Sequence, residues 1–320
     1  MKLGLFNVLF SHLSWEEALD KMKAFGIEAV EVGTGNYPND AHCKPADLLK
    51  DKDARMKFVK AAEDRGIMIS ALSCQGNPLN PNKELAEKHH NTWRNTVELA
   101  SELEIPVVCA FSGCPGDSPD AVRPNWVTCA WPNEYSETLK WQWEEVAIPY
   151  WQKEAEFARS KGVKIAFEMH PGFLVYNPRT LLKLREAAGD NVGANFDPSH
   201  LIWQGIDPVE AIRYLGNIIY HFHAKDTYLD KANIAKNGVL DTASYTNLRD
   251  RAWTFRSVGY GIGEKPWRDI ITALRLVGYD YVLSIEHEDP LASVDEGLKK
   301  SAELLKSIIL SEPPAQAWWI

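Results

Sequence analysis

The sequence predicts a single (β/α)8 TIM barrel, an α/β fold, and three observations lead to it. Short β-rich runs alternate with longer amphipathic segments along all 320 residues, which is the pattern of repeated strand–helix units. No change of composition divides the chain, whose length suits one barrel with insertions. Four of the β-rich runs end in acidic or imidazole side chains, at the edge where barrels build active sites.

The first half of the chain contains four predicted strand–helix units. Ser14 and Glu17 have capping-box spacing, which predicts where the first helix begins, and Gly26 predicts its end. The predicted strands are Leu3–Phe10, Ile27–Val32, Ile67–Ser73 and Pro106–Phe111, and the later helices are Lys52–Arg65, Lys83–Leu103 and Thr138–Lys161. The intervening segment Ser112–Glu137 exceeds the usual βα loop of about 2–6 residues, which indicates a lid or substrate loop.

The second half repeats the pattern with another long insertion, Lys225–Lys265, after the seventh strand. The predicted strands are Val163–Glu168, Val192–Phe196, Ile218–His223 and Tyr281–Glu286, and the helices are Pro178–Ala188, Pro208–Leu215, Pro266–Val277 and Leu291–Leu310. An open doubly wound sheet is the alternative fold. It is disfavoured because no Gly-x-Gly-x-x-Gly turn follows the first strand.

Residues 1–310 are predicted to form the barrel and residues 311–320 a C-terminal tail. The tail ends in Trp318, Trp319 and Ile320. Large apolar side chains rarely remain in water, so we expect the tail to pack on the barrel or on a partner subunit, with a homo-oligomer as one arrangement.

Composition excludes several classes of function. A formal net charge of −9 argues against binding to nucleic acid or to an anionic membrane surface. No run approaches the ~18 apolar residues of a membrane span, and the N-terminus reads as a strand instead of a signal peptide. The five cysteines form no Cys-x-x-Cys pair, and an odd number favours a reduced, cytoplasmic location.

Two neighbouring strands end in candidate metal ligands. Glu168 closes the fifth strand, and the sixth is followed by Asp197, Pro198, Ser199 and His200. The proline forces a turn directly after Asp197, which directs Asp197 and His200 into the same loop region. Each motif also has an ordinary structural interpretation, because a lone glutamate can pair with an arginine and Asp-Pro-Ser is common in turns.

Strands seven and eight offer two further ligands. His221 and His223 point the same way, and His223 is nearer the carboxyl end, so His221 is interpreted as a core histidine one layer deeper. Glu286 ends the eighth strand, with Glu288 as the competing choice. Three carboxylates and one imidazole suit one divalent ion, Mn²⁺ first, with Mg²⁺, Co²⁺ or Zn²⁺ as alternatives.

The motifs FEMH, NFDPSH, HFHAKD and SIEHE resemble those of the xylose isomerase-like TIM barrels, a family of sugar isomerases, epimerases and inosose-processing enzymes. The resemblance covers nearly the whole barrel. It implies that Glu168, Asp197, His223 and Glu286 bind one metal ion and that Glu168 and Glu286 act as acid and base. It also implies that His200 contacts the sugar, and Arg256 resembles a substrate-contacting arginine.

The implied activity is metal-dependent isomerisation or epimerisation of a sugar or cyclitol through an enediolate of the ketone. His170, two residues after Glu168, departs from a simple epimerase. A competing prediction is therefore a lyase, either an inosose-type dehydratase or a C-glycoside-cleaving subunit, with His170 as base. The aromatic insertions, Trp131 among them, suit the apolar face of a sugar ring.

Two other interpretations rank lower. A barrel that binds sugars without catalysis would not need four matching ligands at four strand ends. The related apurinic endonucleases hold three zinc ions and need extra histidines after strands three and four, where this chain has Cys74-Gln75 and Ala110-Phe111.

Overall fold

The computed structural model describes residues 1–315, 317 and 319–320, and within them eight parallel strands close into a barrel. The barrel strands are β1 (Lys2–Phe6), β2 (Ala29–Gly33), β3 (Met68–Ser73), β4 (Val107–Ala110), β5 (Lys164–Glu168), β6 (Val192–Phe196), β7 (Ile219–Ala224) and β10 (Val282–Ile285). Two further strands, β8 (Asp226–Leu229) and β9 (Trp253–Arg256), form a separate small sheet. The barrel order is β1-β2-β3-β4-β5-β6-β7-β10, and β10 pairs with β1 to complete the ring. The predicted single (β/α)8 barrel is confirmed.

Helices connect the strands and cover the outside of the barrel. They are α1 (Trp15–Ala24), α2 (Pro45–Leu48), α3 (Lys52–Glu63), α4 (Lys83–Glu102), α5 (Asn133–Trp141), α6 (Ile148–Ser160), α7 (Pro178–Ala188), α8 (Pro198–Ile202), α9 (Pro208–Leu215), α10 (Lys231–Asn237), α11 (Glu264–Leu276) and α12 (Val294–Ile308). The capping box predicted for the first helix is present, because Ser14 accepts from Glu17 and Glu17 accepts from Ser14. The largest fully buried side chains include Trp151 and Trp267, which fill the space between helices and strands.

Two segments of the barrel differ from the sequence-based expectation. The first strand ends at Phe6, because Asn7 turns inward, accepts a hydrogen bond from the Gly33 amide (2.9 Å) and begins a short 3₁₀ turn. The long helix expected at residues 138–161 is α5 and α6 joined by a π-helical turn at Gln142–Ala147. In that turn Gln142 is buried, and its amide donates to backbone carbonyls of the 115–125 loop.

The insertion after β7 has its own small core instead of being a simple loop. Strands β8 and β9 pair antiparallel, and α10 lies between them in the chain. Trp203 stacks on Trp253 with ring centroids 4.7 Å apart, and Phe255 packs beside them. This core holds Phe255 against the carboxyl ends of the barrel strands, where it contacts the ring of His200.

No helix in the described part of the chain is long and apolar enough to cross a membrane. Of the tail, Glu312 accepts a hydrogen bond from Arg275 through its backbone carbonyl (2.7 Å), and Ile320 is exposed. The predicted packing of the tail depends partly on Trp318, which lies outside the described residues.

Candidate metal centre and active site

The carboxyl ends of four barrel strands bring four predicted ligands together. Glu168 is the last residue of β5, Asp197 follows β6, His223 lies near the end of β7 and Glu286 follows β10. One ligand atom from each of these residues lies within 4.8 Å of the others. Since parallel strands present successive inward side chains at the same barrel end, residues far apart in sequence converge here.

Asp197 and Glu168 are both held by hydrogen bonds from their surroundings. Asp197 caps the short helix α8, and its Oδ1 accepts the backbone N–H of Ser199 at 2.8 Å. Its Oδ2 is left facing the cluster. The Oε2 of Glu168 accepts from the side-chain amide of Gln75 at 3.3 Å.

Behind His223 lies Glu31, a fully buried glutamate of β2. The Nε2 of His223 donates to Glu31, and the Oγ atoms of Ser73 and Ser284 donate to the same carboxylate. Burial alone would raise the pKa of Glu31, but His223 and His221 together with the hydrogen bonds lower it to about 2. An ionised Glu31 keeps a proton on Nε2 of His223, so Nδ1 is the nitrogen that faces the cluster.

The donor set fits a divalent cation. Asp197 Oδ2 and His223 Nδ1 are buried without a hydrogen-bond partner. The Nδ1 atom lies 2.9 Å from Glu286 Oε2. A lone pair facing a carboxylate at this distance requires a proton or a cation between them. Three carboxylates and one imidazole are the ligands expected for such an ion.

Lys225 introduces a positive charge at the rim of this cluster. Its buried ammonium group lies 3.1 Å from Asp197 Oδ2, 2.8 Å from Glu286 Oε2 and 3.0 Å from Glu288 Oε2. Burial disfavours the charged form, but the surrounding carboxylates raise the pKa of Lys225 well above its usual value. Lys225 therefore carries a positive charge at neutral pH, and its Nζ also lies 4.7 Å from the centre of the Phe255 ring.

Two imidazoles lie beside the carboxylates, with ring centroids 4.0 Å apart. His200 Nε2 is 3.2 Å from Glu168 Oε1 and 3.4 Å from Asp197 Oδ2. The Nδ1 of His170 is 2.6 Å from the Pro171 carbonyl, so Nδ1 carries the proton and Nε2 keeps its lone pair. Burial and the charge of Lys225 lower the pKa of His170 to about 4, so this imidazole is neutral at pH 7.

The two candidate acid–base glutamates have opposite pKa shifts. Burial and the charge of Glu286 raise the pKa of Glu168 to about 8. Burial also acts on Glu286, but the charges of Lys225 and His223 outweigh it and lower its pKa. A divalent cation at this point would replace the proton that Glu168 otherwise holds.

A pocket of about 420 Å³ opens above the cluster. Glu168, Glu286 and Lys225 line its polar side. Aromatic side chains form the other side, where Phe111 stacks on Phe173 with centroids 4.3 Å apart. One polar and one apolar wall suit a small ring that carries hydroxyl groups on its edge and C–H groups on its face.

Arg256 and Trp131, two predicted substrate contacts, lie outside this pocket. The Nε of Arg256 donates to both carboxylate oxygens of Asp289, at 3.0 and 3.1 Å, and Arg256 does not line the pocket. Trp131 is 74% exposed on the loop before α5 and also does not line it. Glu288, the competing choice for the fourth ligand, lines the pocket and pairs with Lys225. His221 lies one layer deeper, between Asn195 and Ser70.

Sequence reasoning missed three residues of this site: Glu31, Lys225 and Gln75. A glutamate within the apolar run of the second strand was a signal for Glu31, because a buried charge needs a partner. Lys225 continues the alternation of His221 and His223 and therefore shares their side of the strand. Gln75 gave no sequence signal beyond its position after the third strand.

Comparison with known proteins identifies a family and related sequences. A family model described as the xylose isomerase-like TIM barrel matches residues 19–308. An uncharacterized protein from Bacillus subtilis, YfiH, is 40% identical over 312 residues, which cover 97% of this chain and 99% of that protein. An inosose dehydratase from Clostridium botulinum is 25% identical over 279 residues, which cover 87% of this chain and 83% of that protein.

Solved structures share the fold at low identity. The probable 3-DHS dehydratase AsbF from Bacillus anthracis has a TM-score of 0.67 at 17% identity and covers 96% of this chain and 99% of its own. The IolI protein with a bound zinc atom has a TM-score of 0.65 at 17% identity. The match covers 97% of this chain and 98% of the IolI chain. A D-tagatose 3-epimerase-like protein has a TM-score of 0.64 at 22% identity, and the match covers 96% of this chain and 97% of that protein.

These matches agree with the resemblance inferred from the four strand-end motifs. The family model and the 40% identical relative each span nearly the whole barrel. The chain belongs to the xylose isomerase-like TIM barrel family.

Proposed function

We propose that the protein is a divalent-metal-dependent dehydratase of a keto-cyclitol or keto-sugar. It would remove the proton beside the carbonyl and then release water. The observation that carries this proposal is Lys225, a buried ammonium group within 3.1 Å of Asp197 and 2.8 Å of Glu286. An elimination needs a proton donor for the departing hydroxyl as well as a base, and Lys225 is the charged N–H donor beside the carboxylates. A cation bound by those carboxylates would neutralise the charges that raise the pKa of Lys225 and make it a better acid. The inosose dehydratase among the relatives supports the same reaction class.

Glu168, Asp197, His223 and Glu286 would hold the metal ion. When bound, the ion supplies a Lewis acid that polarises the substrate carbonyl. The predominance of oxygen ligands favours Mn²⁺, with Mg²⁺, Co²⁺ and Zn²⁺ as alternatives, and the zinc found in IolI keeps Zn²⁺ among them.

Two side chains, His170 and Lys225, would carry out the two proton transfers. His170 Nε2 accepts the proton from the carbon next to the carbonyl. The carbon–oxygen bond at the following carbon then breaks, and its electron pair leaves with the oxygen. Lys225 Nζ donates a proton to that oxygen, which gives water and an unsaturated ketone. Exchange with solvent afterwards returns both residues to their starting protonation states.

The test is a reaction in D₂O with protein loaded with Mn²⁺, followed by NMR. The substrates are 2-keto-myo-inositol, D-fructose and D-tagatose. We expect loss of water from the keto-cyclitol. In Lys225→Met, water loss should fall about 100-fold or more, while exchange of the proton beside the carbonyl continues.

Lys236→Met is the matched control, because Lys236 is an exposed lysine of α10. It should retain full activity. Formation of an epimer or an isomer without release of water would contradict the dehydratase proposal.

Epimerisation or isomerisation is the second candidate, and one observation favours it. The pKa values of Glu168 and Glu286 are shifted in opposite directions, which is the arrangement of an acid and a base in one site. In that case Glu286→Gln should abolish exchange beside the carbonyl, and Lys225→Met should leave product formation within a few-fold of wild type.

A further inference from the structure

The insertion after β7 brings one aromatic side chain to the edge of the candidate metal centre. Phe255 lies on β9, is 6% exposed and stands directly opposite Thr227 of β8 in the antiparallel pair. Strand β8 begins one residue after Lys225, so the chain that leaves the site pairs at once with the strand that carries Phe255. Phe255 does not line the substrate pocket. Its influence on the site therefore depends on the side chains that it contacts.

Phe255 contacts the ammonium group of Lys225 and the imidazole of His200. The Nζ atom of Lys225 lies over the Phe255 ring, 4.7 Å from its centre. The His200 ring meets Phe255 edge to face at a centroid distance of 5.2 Å, and its Nε2 is 3.5 Å from the same Nζ. A cation over an aromatic face is attracted by the ring, and the attraction is stronger where water is excluded, as at Lys225, which is 2% exposed.

Two of the three carboxylates around Lys225 are also proposed metal ligands. Asp197 and Glu286 lie 3.1 and 2.8 Å from Nζ, and a bound cation would take up much of their charge. The third carboxylate, that of Glu288, belongs to a side chain that is 50% exposed, so water and salt weaken its attraction. In the metal-loaded site, the ring of Phe255 is a neighbour of Nζ that neither binds the cation nor faces bulk water.

The kind of contact matters for a proton donor. An aromatic face attracts an ammonium group but cannot take its proton, whereas a carboxylate can. The N–H groups that are not bonded to carboxylates remain available to an oxygen atom in the pocket, which Lys225 lines. Proton transfer depends steeply on where Nζ stands relative to the departing oxygen, so a contact that fixes Nζ also governs the transfer.

The Phe255 ring is itself fixed by the small core of the insertion. It packs on Trp253 and Tyr245 at centroid distances of 5.2 and 6.1 Å. The Trp253 ring stacks in turn on Trp203, which lies outside the insertion. The hydroxyl of Thr227 donates to a backbone carbonyl of α8 at 2.8 Å and so ties β8 to the barrel. The insertion therefore determines where the ring lies relative to Nζ.

From these contacts we infer that Phe255 is a positioning residue for Lys225, and that the insertion thereby decides what happens to the substrate after its proton is removed. With Nζ in place, the carbon–oxygen bond breaks, and the oxygen leaves as water with the electron pair and a proton from Lys225. With Nζ displaced, the carbon takes a proton back and the starting ketone forms again. This inference rests on the proposed function for the role of Lys225.

The experiment compares two rates in D₂O with Mn²⁺-loaded protein and 2-keto-myo-inositol: release of water and exchange of the proton beside the carbonyl. In Phe255→Leu, which removes the aromatic face but keeps an apolar side chain, the ratio of water release to exchange should fall about 10-fold. Exchange and KM should stay within about threefold of wild type, because Phe255 does not line the pocket. Phe255→Tyr keeps the aromatic face and should retain the wild-type ratio. Phe255→Met should behave like Phe255→Leu and keeps the test valid if the leucine variant does not fold.

Phe157→Leu is the matched control. The centre of the Phe157 ring, on α6, lies 4.0 Å from the guanidinium carbon of Arg94, so this variant removes the same kind of contact away from the site. Its ratio of water release to exchange should equal that of wild type. The double variant Phe255→Leu, Lys225→Met should release water as slowly as Lys225→Met alone, because the ring acts through the ammonium group.

A second measurement follows Nζ without any reaction. In protein labelled with ¹⁵N-lysine and loaded with diamagnetic Mg²⁺, the ammonium protons of Lys225 should be shifted upfield by the Phe255 ring. Loss of the signal in Lys225→Met identifies it. Phe255→Leu should move the signal to lower field, and Phe255→Tyr should leave it near the wild-type position.

The outcomes separate this inference from the proposed function. If the wild type releases no water, the reaction proposal fails, and the ammonium signal alone decides whether Phe255 positions Lys225. A signal that is the same in Phe255→Leu and in wild type overturns the inference. An unchanged ratio of water release to exchange overturns it as well. So does a fall in exchange as large as the fall in water release, because general damage to the site would then be the cause.

Discussion

Both carboxylate oxygens of Glu31 lie 2.9 Å from Nε2 of His223, although the two residues are 192 positions apart in the chain. The two side chains are fully buried. The contact determines which nitrogen of His223 carries the proton, and so which nitrogen faces Glu168, Asp197 and Glu286. The metal affinity of the candidate centre should therefore depend on Glu31, which is not one of its proposed ligands.

Replacing Glu31 by Gln should weaken metal binding by about 10-fold to 100-fold. The new amide can donate to Nε2 of His223, which moves the imidazole proton to Nδ1 and blocks the lone pair meant for the ion. Titration with Mn²⁺ and Zn²⁺ in competition with a chelator measures the change. Glu28→Gln, at an exposed glutamate just before β2, is the control and should bind metal like wild type. Equal affinity in Glu31→Gln would contradict this account of His223.

Asp197→Asn should remove metal binding while preserving the fold. The asparagine oxygen can still accept the Ser199 amide, so the start of α8 survives, but the charged oxygen that faces the cluster is lost. Adding Mn²⁺ should raise the melting temperature of the wild type but not of the variant. Asp207→Asn changes a helix cap of the same kind at α9 and should keep the metal-dependent rise. A rise in Asp197→Asn equal to that of wild type would show that Asp197 is not a ligand.

Asp226→Asn should lower the free energy of unfolding by about 2 kcal/mol. The carboxylate accepts from Gly259, Gly261, Ile262 and the Trp267 indole at 2.8–3.0 Å. An asparagine NH₂ group would face one or more of these donors. Urea unfolding measures the loss, and Asp269→Asn, which breaks only an exposed pair with Lys265, should change stability by less than about 0.5 kcal/mol. A similar small change in Asp226→Asn would refute the role given to Asp226.

The contribution of Asp289 to stability should decline in acid. Burial acts to raise the pKa of this carboxyl, but hydrogen bonds from Ser257, Leu291 and Arg256 outweigh it and lower the pKa. A pKa below the unfolded value of about 3.9 means that the stabilisation is complete above that pH and is lost as pH falls through the lower, folded value. The difference in unfolding free energy between wild type and Asp289→Asn should therefore shrink progressively as the pH is lowered from neutral to below about 3.9. A constant difference over this range would contradict the prediction.

The barrel could be predicted because its signals are local and repeated. Each apolar run, helix cap and turn can be recognised from a few neighbouring residues. Eight consecutive strand–helix units are compatible with few other folds. The 3₁₀ turn after Phe6 and the π-helical turn at Gln142 could not be predicted, because both depend on contacts with distant backbone. The small core of the long insertion depends likewise on Trp203, a residue outside the insertion.

In the candidate site, too, some residues could be predicted from local sequence signals and others depend on contacts between distant parts of the chain. The four ligands could be proposed from strand ends, since parallel strands bring their carboxyl ends to one face. Glu31 and Gln75 reach the cluster from the opposite side of the ring, and their roles follow only from the closure of the barrel. The salt bridge of Arg256 with Asp289 could not be predicted either, because the partner of a loop arginine is determined by how distant segments pack together.

The proposed metal ligands come from the fifth to eighth barrel strands, whereas the carboxylate that orients His223 comes from the second. Neither half of the chain contains the complete centre. Two fragments divided between β4 and β5 should regain high metal affinity only when they reassemble, so bound metal would report that the two halves have joined. Exchange of half-barrels between relatives would likewise preserve the centre only if the incoming N-terminal half carried a glutamate at the position of Glu31.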